Sequence, residues 1–293
     1  MKKQEEIEAL FKEVESLNIP DLSESLENIL RAHTTIIQSI YDSKPALDVG
    51  EVYIETLTIK LLLASKSALE LSRGSNISGI DTNKKVQILD ISSIYILTRA
   101  VLENFLTLEY LFFNKLSREE QIFRYNLWRI SGFMSRQNYD ENLQPHLIEK
   151  LEREKEEIEI LKETVKKSPF YPSLNKHHIW KLNSYGLPRI LSWDDLIKQS
   201  CLKSNLFGKL YKLYSNYAHS EFISAIQLNE NSQHKTNKFN EEVTITSLSN
   251  LRMINCVSIS LIKDKFQCTK ESYNGLGEEL KYSIDFWKKF STE

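Results

Sequence analysis

Cysteine, proline and glycine are all scarce in this chain, at three, six and eight of 293 residues. Each scarcity closes off a class of answer. Cys201, Cys256 and Cys268 are odd in number and form no Cys-x-x-Cys, which fits reduced thiols and excludes a disulfide framework. Few glycines and prolines against recurrent Leu, Ile, Lys, Glu and Ser favour helix, and no strand-and-crossover alternation is present. Net charge is −2, so no whole-chain basic excess advertises a nucleic-acid partner. The first residues, MKKQEEIEALFKEV, lack the apolar stretch of a signal peptide, so the expected location is the cytoplasm. Walker, dinucleotide-binding, His-Glu-x-x-His and Ser/His/Asp signatures are absent, as are internal repeats and low-complexity segments, and no cofactor or metal is expected.

What is present is one long apolar stretch, Val86 to Asn114, VQILDISSIYILTRAVLENFLTLEYLFFN. Advancing about 100° per residue, its apolar residues cover nearly the whole circumference of a helix, and such a helix is buried. Asp90, Arg99, Glu103 and Glu109 interrupt it, so a core helix explains it better than a membrane span. Ser92, Arg99, Glu103 and Tyr110 project within about 40° of one another, a single polar stripe. Arg99 and Glu103 face each other across one turn, and desolvating them costs several kcal/mol per ion (roughly) unless further polar groups join from another helix. A structural ion pair and a functional site are both consistent with that stripe.

The expected architecture is all-α, a multi-helix bundle around a buried central helix at about 86–114. One helical domain, 1–293, is expected, with N-terminal helices in 1–83, a core in 84–229 and C-terminal helices in 241–293. Helices are predicted at 3–17, from Asp21 or Ser23 to before Pro45, and at 49–73, with Gly74 to Asn83 a polar loop. His33 falls near an apolar stripe, where a hydrogen-bonded core histidine is the expectation. Ser117 with Glu120 caps a helix to Arg136 carrying Arg124, Trp128 and Arg129. Residues 141–167 form a charged helix with near-heptad Leu147, Leu151, Ile158, Leu161 and Val165, read as a protruding helix or a dimer contact. Ser168 to Ser192 is the most irregular segment, and its adjacent His177 and His178 diverge by about 100° on a helix, so they do not form a metal site.

Asn205 to about Leu228, NLFGKLYKLYSNYAHSEFISAIQL, is predicted as one helix. On it Glu221 lies in the apolar stripe, facing a core where Arg99 is its natural cation, and His219 projects about 160° away, beside Ser215. Helices at 242–266 and 278–290 follow, separated by a Gly275–Gly277 turn.

The stretches TRAVLENFLTLEYL and YSNYAHSEFIS, with Arg124, Tyr125 and Trp128 between them, resemble the signature of a bacterial all-helical family of unsettled function. More distantly, the arrangement is similar to the HEPN superfamily, many of whose members are metal-independent ribonucleases of toxin–antitoxin and antiphage systems, completed by dimerisation. Their motif places an Arg four to six residues before a His on one helix. His219 matches the histidine, but Tyr214 stands at the closest spacing and Lys212 is the nearest cation, so the arginine would be Arg99 from another helix.

Two functions follow as expectations. One is an intracellular interaction module binding a protein, RNA or nucleotide, without a membrane role and self-associating through its helices. The other, implied by the resemblance, is a ribonuclease with His219 as acid/base, Arg99 or Arg124 holding the phosphate, and Glu103 and Tyr214 orienting them. Arg124, Trp128, Glu221 and Tyr110 are the expected binding residues in either case. The two differ in geometry, because catalysis requires His219 and an arginine to meet at solvent.

Overall fold

A computed structural model describes residues 18–78, 85–138, 145–233 and 238–292. The predicted 3–17 helix lies outside them. Twelve α-helices and one two-stranded hairpin make up the described residues, so the protein is an all-α multi-helix bundle. The chain folds as two compact units where one domain was expected: the first takes the described residues up to Leu47, then Glu51–Leu108 and Ile197 onward, and the second takes Asp48–Gly50 and Glu109–Leu196.

In the first unit, α1 (Ile19–Ser43) begins on Asn18, whose side chain accepts from the Asp21 N–H at 2.8 Å. Leu22, Leu26, Ile29, Ile36 and Ile40 form its buried face. α2 (Val52–Leu71) leads into strands β1 (Ser75–Ser78) and β2 (Lys85–Ile88), paired antiparallel. The stretch read as the start of the central helix is thus partly strand, and α3 (Ile91–Leu108) starts where the Asp90 carboxylate accepts from the Ser93 N–H at 3.0 Å. α8 (Ser204–Ala218), α9 (Phe222–Gln233), α10 (Lys238–Lys265), α11 (Thr269–Asn274) and α12 (Glu278–Ser291) complete the unit.

α3 is buried as its composition requires, yet it shares the centre of this unit with α10, which packs on α1, α3 and α12. α10 is disguised in sequence by buried Thr244, Ser247, Asn250, Arg252, Asn255 and Ser258. Asn255 and Ser258 find partners on neighbouring helices. Asn255 donates to Ser65 Oγ at 3.0 Å and accepts from His33 Nδ1 at 2.9 Å, and Ser258 Oγ lies 3.3 Å from His33 Nε2. His33 is the hydrogen-bonded core histidine expected, and burial pushes its pKa down to about 4 despite the Asn255 bond. Both Ile91–Phe113 and α10 are long and apolar enough to cross a membrane, but 78 % of the α10 window is buried inside the protein, as a core helix would be.

The second unit is built on α4 (Arg118–Arg136), capped by Ser117 Oγ accepting from the Glu120 N–H at 3.2 Å. α5 (Pro145–Lys166) lies against it, with Ile158, Leu161 and Val165 buried beside Phe123, Leu127 and Ile130. The last three residues of the near-heptad stripe therefore serve packing within the chain. Ion pairs Arg129–Glu157 and Arg136–Glu154 fasten its polar flank. The segment read as irregular contains a short 3-10 turn (Tyr171–Ser173) and a helix missed in sequence, α6 (Lys176–Ser184), whose Asn175 cap accepts from the His178 N–H at 2.8 Å. After α6 the chain turns at Gly186, with φ of +85°, where an added Cβ would sit 2.4 Å from the Ser131 Cα. α7 (Trp193–Gln199) starts with Ser192 Oγ accepting from the Asp195 N–H.

Candidate functional site

Four side chains of the first unit converge where α3 meets the end of α8. Arg99 projects from the one line along α3 that is only partly covered, which also carries Ser92, Ile96 and Glu103. Its Nε donates to Glu103 Oε1 at 2.9 Å, one turn on. One terminal nitrogen of the guanidinium, NH2, donates to the Tyr211 hydroxyl at 3.2 Å, and that hydroxyl donates to Glu103 Oε1 at 3.1 Å. The other, NH1, lies 3.2 Å from His219 Nε2. A guanidinium offers only donors, so the His219 nitrogen facing it is the one with the lone pair and the ring proton resides on Nδ1.

The site is half-buried on one side and open on the other. The Arg99 side chain is 15 % exposed and that of Glu103 26 %, whereas His219 is exposed. Burial opposes the charge on Arg99, but the Glu103 carboxylate and the Tyr211 hydroxyl outweigh it and hold the guanidinium above its ordinary value. Burial, reinforced by the Glu103 charge, also raises the Tyr211 phenol, so Tyr211 stays protonated and able to donate. The Arg99 Cζ lies 5.1 Å from the centre of the Tyr211 ring.

His219 reaches this point because the expected single helix breaks. α8 ends at Ala218, His219 is its capping residue, and Ser220 adopts a left-handed φ of +52°. The Glu221 N–H then donates to the Asn216 carbonyl at 2.9 Å, and α9 starts at Phe222. This break corrects the reading of Glu221. Its projection into the apolar stripe assumed unbroken helix, and Glu221 is instead exposed, its carbonyl accepting from Ser224. Among the described residues, Arg99 finds its carboxylate in Glu103 alone.

Tyr214 is likewise not part of the cluster. It is 1 % exposed, its hydroxyl accepts from Asn250 at 2.7 Å, and its ring lies 5.1 Å from that of Tyr95. Burial raises its phenol strongly, as it does that of Tyr95. The tyrosine that joins Arg99 and Glu103 is Tyr211, which sequence reasoning passed over. The signal was there: Tyr211 precedes Ser215 by one turn, on the same flank that carries His219.

The remaining expected binding residues belong to the second unit. Past Leu108 the helix widens into a π turn, Glu109–Phe113, in which the Asn114 N–H reaches back five residues to Glu109 O at 2.9 Å. The polar stripe projected from Ser92 therefore does not extend to Tyr110, which is buried. Arg124 is buried too. It donates to the Tyr110 carbonyl at 3.1 Å and to Glu120 at 2.6 Å, with its Cζ 4.2 Å from the Tyr110 ring centre. That is a structural clasp, and it corrects the expectation that Arg124 serves a phosphate. Trp128 is half-buried and its ring packs 6.2 Å from that of Tyr125. Among the described residues no group of three or more His, Cys, Asp or Glu could hold a metal ion.

Comparison of the chain with models of protein families, with curated proteins and with solved structures returns no match.

Proposed function

We propose that Arg99, Glu103, Tyr211 and His219 form a site that cleaves RNA by transesterification. The observation that carries this reading is the 3.2 Å approach of Arg99 to the lone-pair nitrogen of a solvent-exposed His219. A guanidinium and an imidazole at one solvent-facing point are the two groups the reaction needs. The cation holds the phosphate and offsets the charge that develops on it, and the imidazole moves the proton.

Of the five N–H donors of Arg99, three are engaged within the protein and two remain for phosphate oxygens. In the reaction NH1 of Arg99 passes from His219 to a phosphate oxygen, which frees the Nε2 lone pair, and the 2′-oxygen attacks phosphorus and gives its proton to that nitrogen. The bond from phosphorus to the 5′-oxygen breaks, and the same proton passes to that oxygen. The products are a 2′,3′-cyclic phosphate and a 5′-hydroxyl. Glu103 and Tyr211 are positioning residues that fix the plane of the guanidinium.

A second reading, a non-catalytic interaction module, is favoured by one observation: every nitrogen of Arg99 already has a partner in the protein, so the cluster also works as a clasp joining α3 to the end of α8. Expression in a bacterial host with growth and RNA integrity recorded separates the two. For the nuclease, wild type cleaves RNA and slows growth, and a folded His219→Ala loses about 10²- to 10⁴-fold in cleavage rate, the usual contribution of general acid–base catalysis. Wild type that leaves RNA intact, with Arg99→Ala losing helical circular dichroism, would establish the clasp.

A further inference from the structure

On α6 of the second unit and at its C-cap, three aromatic rings stand in a row at the surface. Trp180 is 51 % exposed and Tyr185 65 %, and His177 is exposed beside them. The His177 ring stacks on Trp180 at 5.7 Å with 21° between planes, and the Tyr185 ring meets Trp180 edge-on at 5.3 Å. His177, Trp180 and Lys181 lie three and four residues apart, hence on one face of the helix, and Lys176 is one turn from Trp180. Both lysines are exposed, and no carboxylate of the described residues pairs with either.

A half-exposed tryptophan braced by two other exposed rings is not what core packing produces. Nor is it an aliphatic patch, which would favour any apolar partner equally. Flat rings held in place by one another need little further ordering when another flat group stacks on them. The two cations set the sign of the ligand, which is aromatic and anionic in alternation. The neighbouring His178 is held below its ordinary pKa, by burial first and then by the nearness of His177 and Lys181.

We propose that the His177–Trp180–Tyr185 face is a stacking platform for single-stranded RNA, with Lys176 and Lys181 holding the flanking phosphates. Bases stack on the outer faces of the rings, a mode that tolerates any base sequence and needs unpaired strand. This does not rest on the Arg99–His219 site, and the test keeps the two apart by using a ligand that cannot react.

The ligand is a fluorescein-labelled 15-nucleotide 2′-O-methyl RNA, which lacks the attacking hydroxyl, and the readout is fluorescence anisotropy on the full chain. Wild type binds the single strand, and a duplex of the same sequence binds more weakly. Trp180→Ala and Tyr185→Ala each weaken binding of the strand about tenfold, the effect of losing one stacked base. Lys176→Gln with Lys181→Gln flattens the dependence of affinity on salt, as expected when two phosphate contacts are lost. Tyr185, more exposed than Trp180, serves if Trp180→Ala misfolds by circular dichroism. Unchanged affinity in the folded aromatic variants overturns the proposal, as does failure of wild type to bind. A change confined to sedimentation overturns it as well, by identifying the face as a protein contact.

Discussion

Single residues carry the most direct consequences. His33 is buried and neutral, with its pKa pushed down to about 4. Above pH 6.5 the folded and unfolded chains both carry it neutral. As pH falls from 6.5 towards 4 the unfolded chain takes up a proton that the folded chain refuses, so stability falls across that window, by about 3 kcal/mol in total. Urea melts between pH 7 and 4 should show this loss, and His33→Gln should flatten the part of the slope that lies there. Asn255→Leu leaves the Nδ1–H of His33 buried without an acceptor, and an unfolding free energy lower by about 1–3 kcal/mol is the expected result. At the candidate site Tyr211→Phe keeps the ring under Arg99 and removes the hydroxyl that ties it to Glu103. If Tyr211 positions rather than reacts, cleavage should slow through kcat with its pH profile unmoved, whereas Tyr211→Ala should slow it further.

Helices and turns explain what could be read from the chain and what could not. Caps were legible: Ser117 and the helix ends near Pro45 and Gly74 follow from local chemistry. So were Arg99 and Glu103, because two charges on an otherwise apolar helix must face each other or water. The failures share one cause, the assumption of unbroken helical rotation. The π turn at Glu109 removes Tyr110 from the stripe, and the left-handed Ser220 brings His219 to Arg99 while turning Glu221 outward. Neither break carries a Gly or Pro to announce it. α10 is hard to read for the opposite reason, since Asn255 and Ser258 are polar residues whose partners, Ser65 on α2 and His33 on α1, lie far off in the chain. Where glycine does mark a turn it is required. Gly186→Ala drives a Cβ against the Ser131 backbone at positive φ, so the variant should unfold at least about 2 kcal/mol more easily.

Two compact units in one chain make unfolding a matter of which part is probed. Gly186 belongs to the second unit and Asn255 to the first. Calorimetry of Gly186→Ala and Asn255→Leu should therefore move different parts of the transition, and a calorimetric enthalpy above the van't Hoff value would show that the chain departs from two-state behaviour. Superposable shifts from both variants would show instead that the units melt as one. The first unit is also discontinuous: it is built from both ends of the sequence, and the hydrogen bond from His33 to Asn255 spans 222 residues. During synthesis, α4, α5 and α6 emerge together and can close their core while the ribosome still holds everything beyond them. α1 and α2 pack on each other and α2 on α3 as they emerge, but the face of α1 that α10 covers must wait until α10 is made. α1 is thus a helix that depends on a chaperone until late, and a ribosome that stalls before α10 would release a chain with one finished unit and one whose core is incomplete.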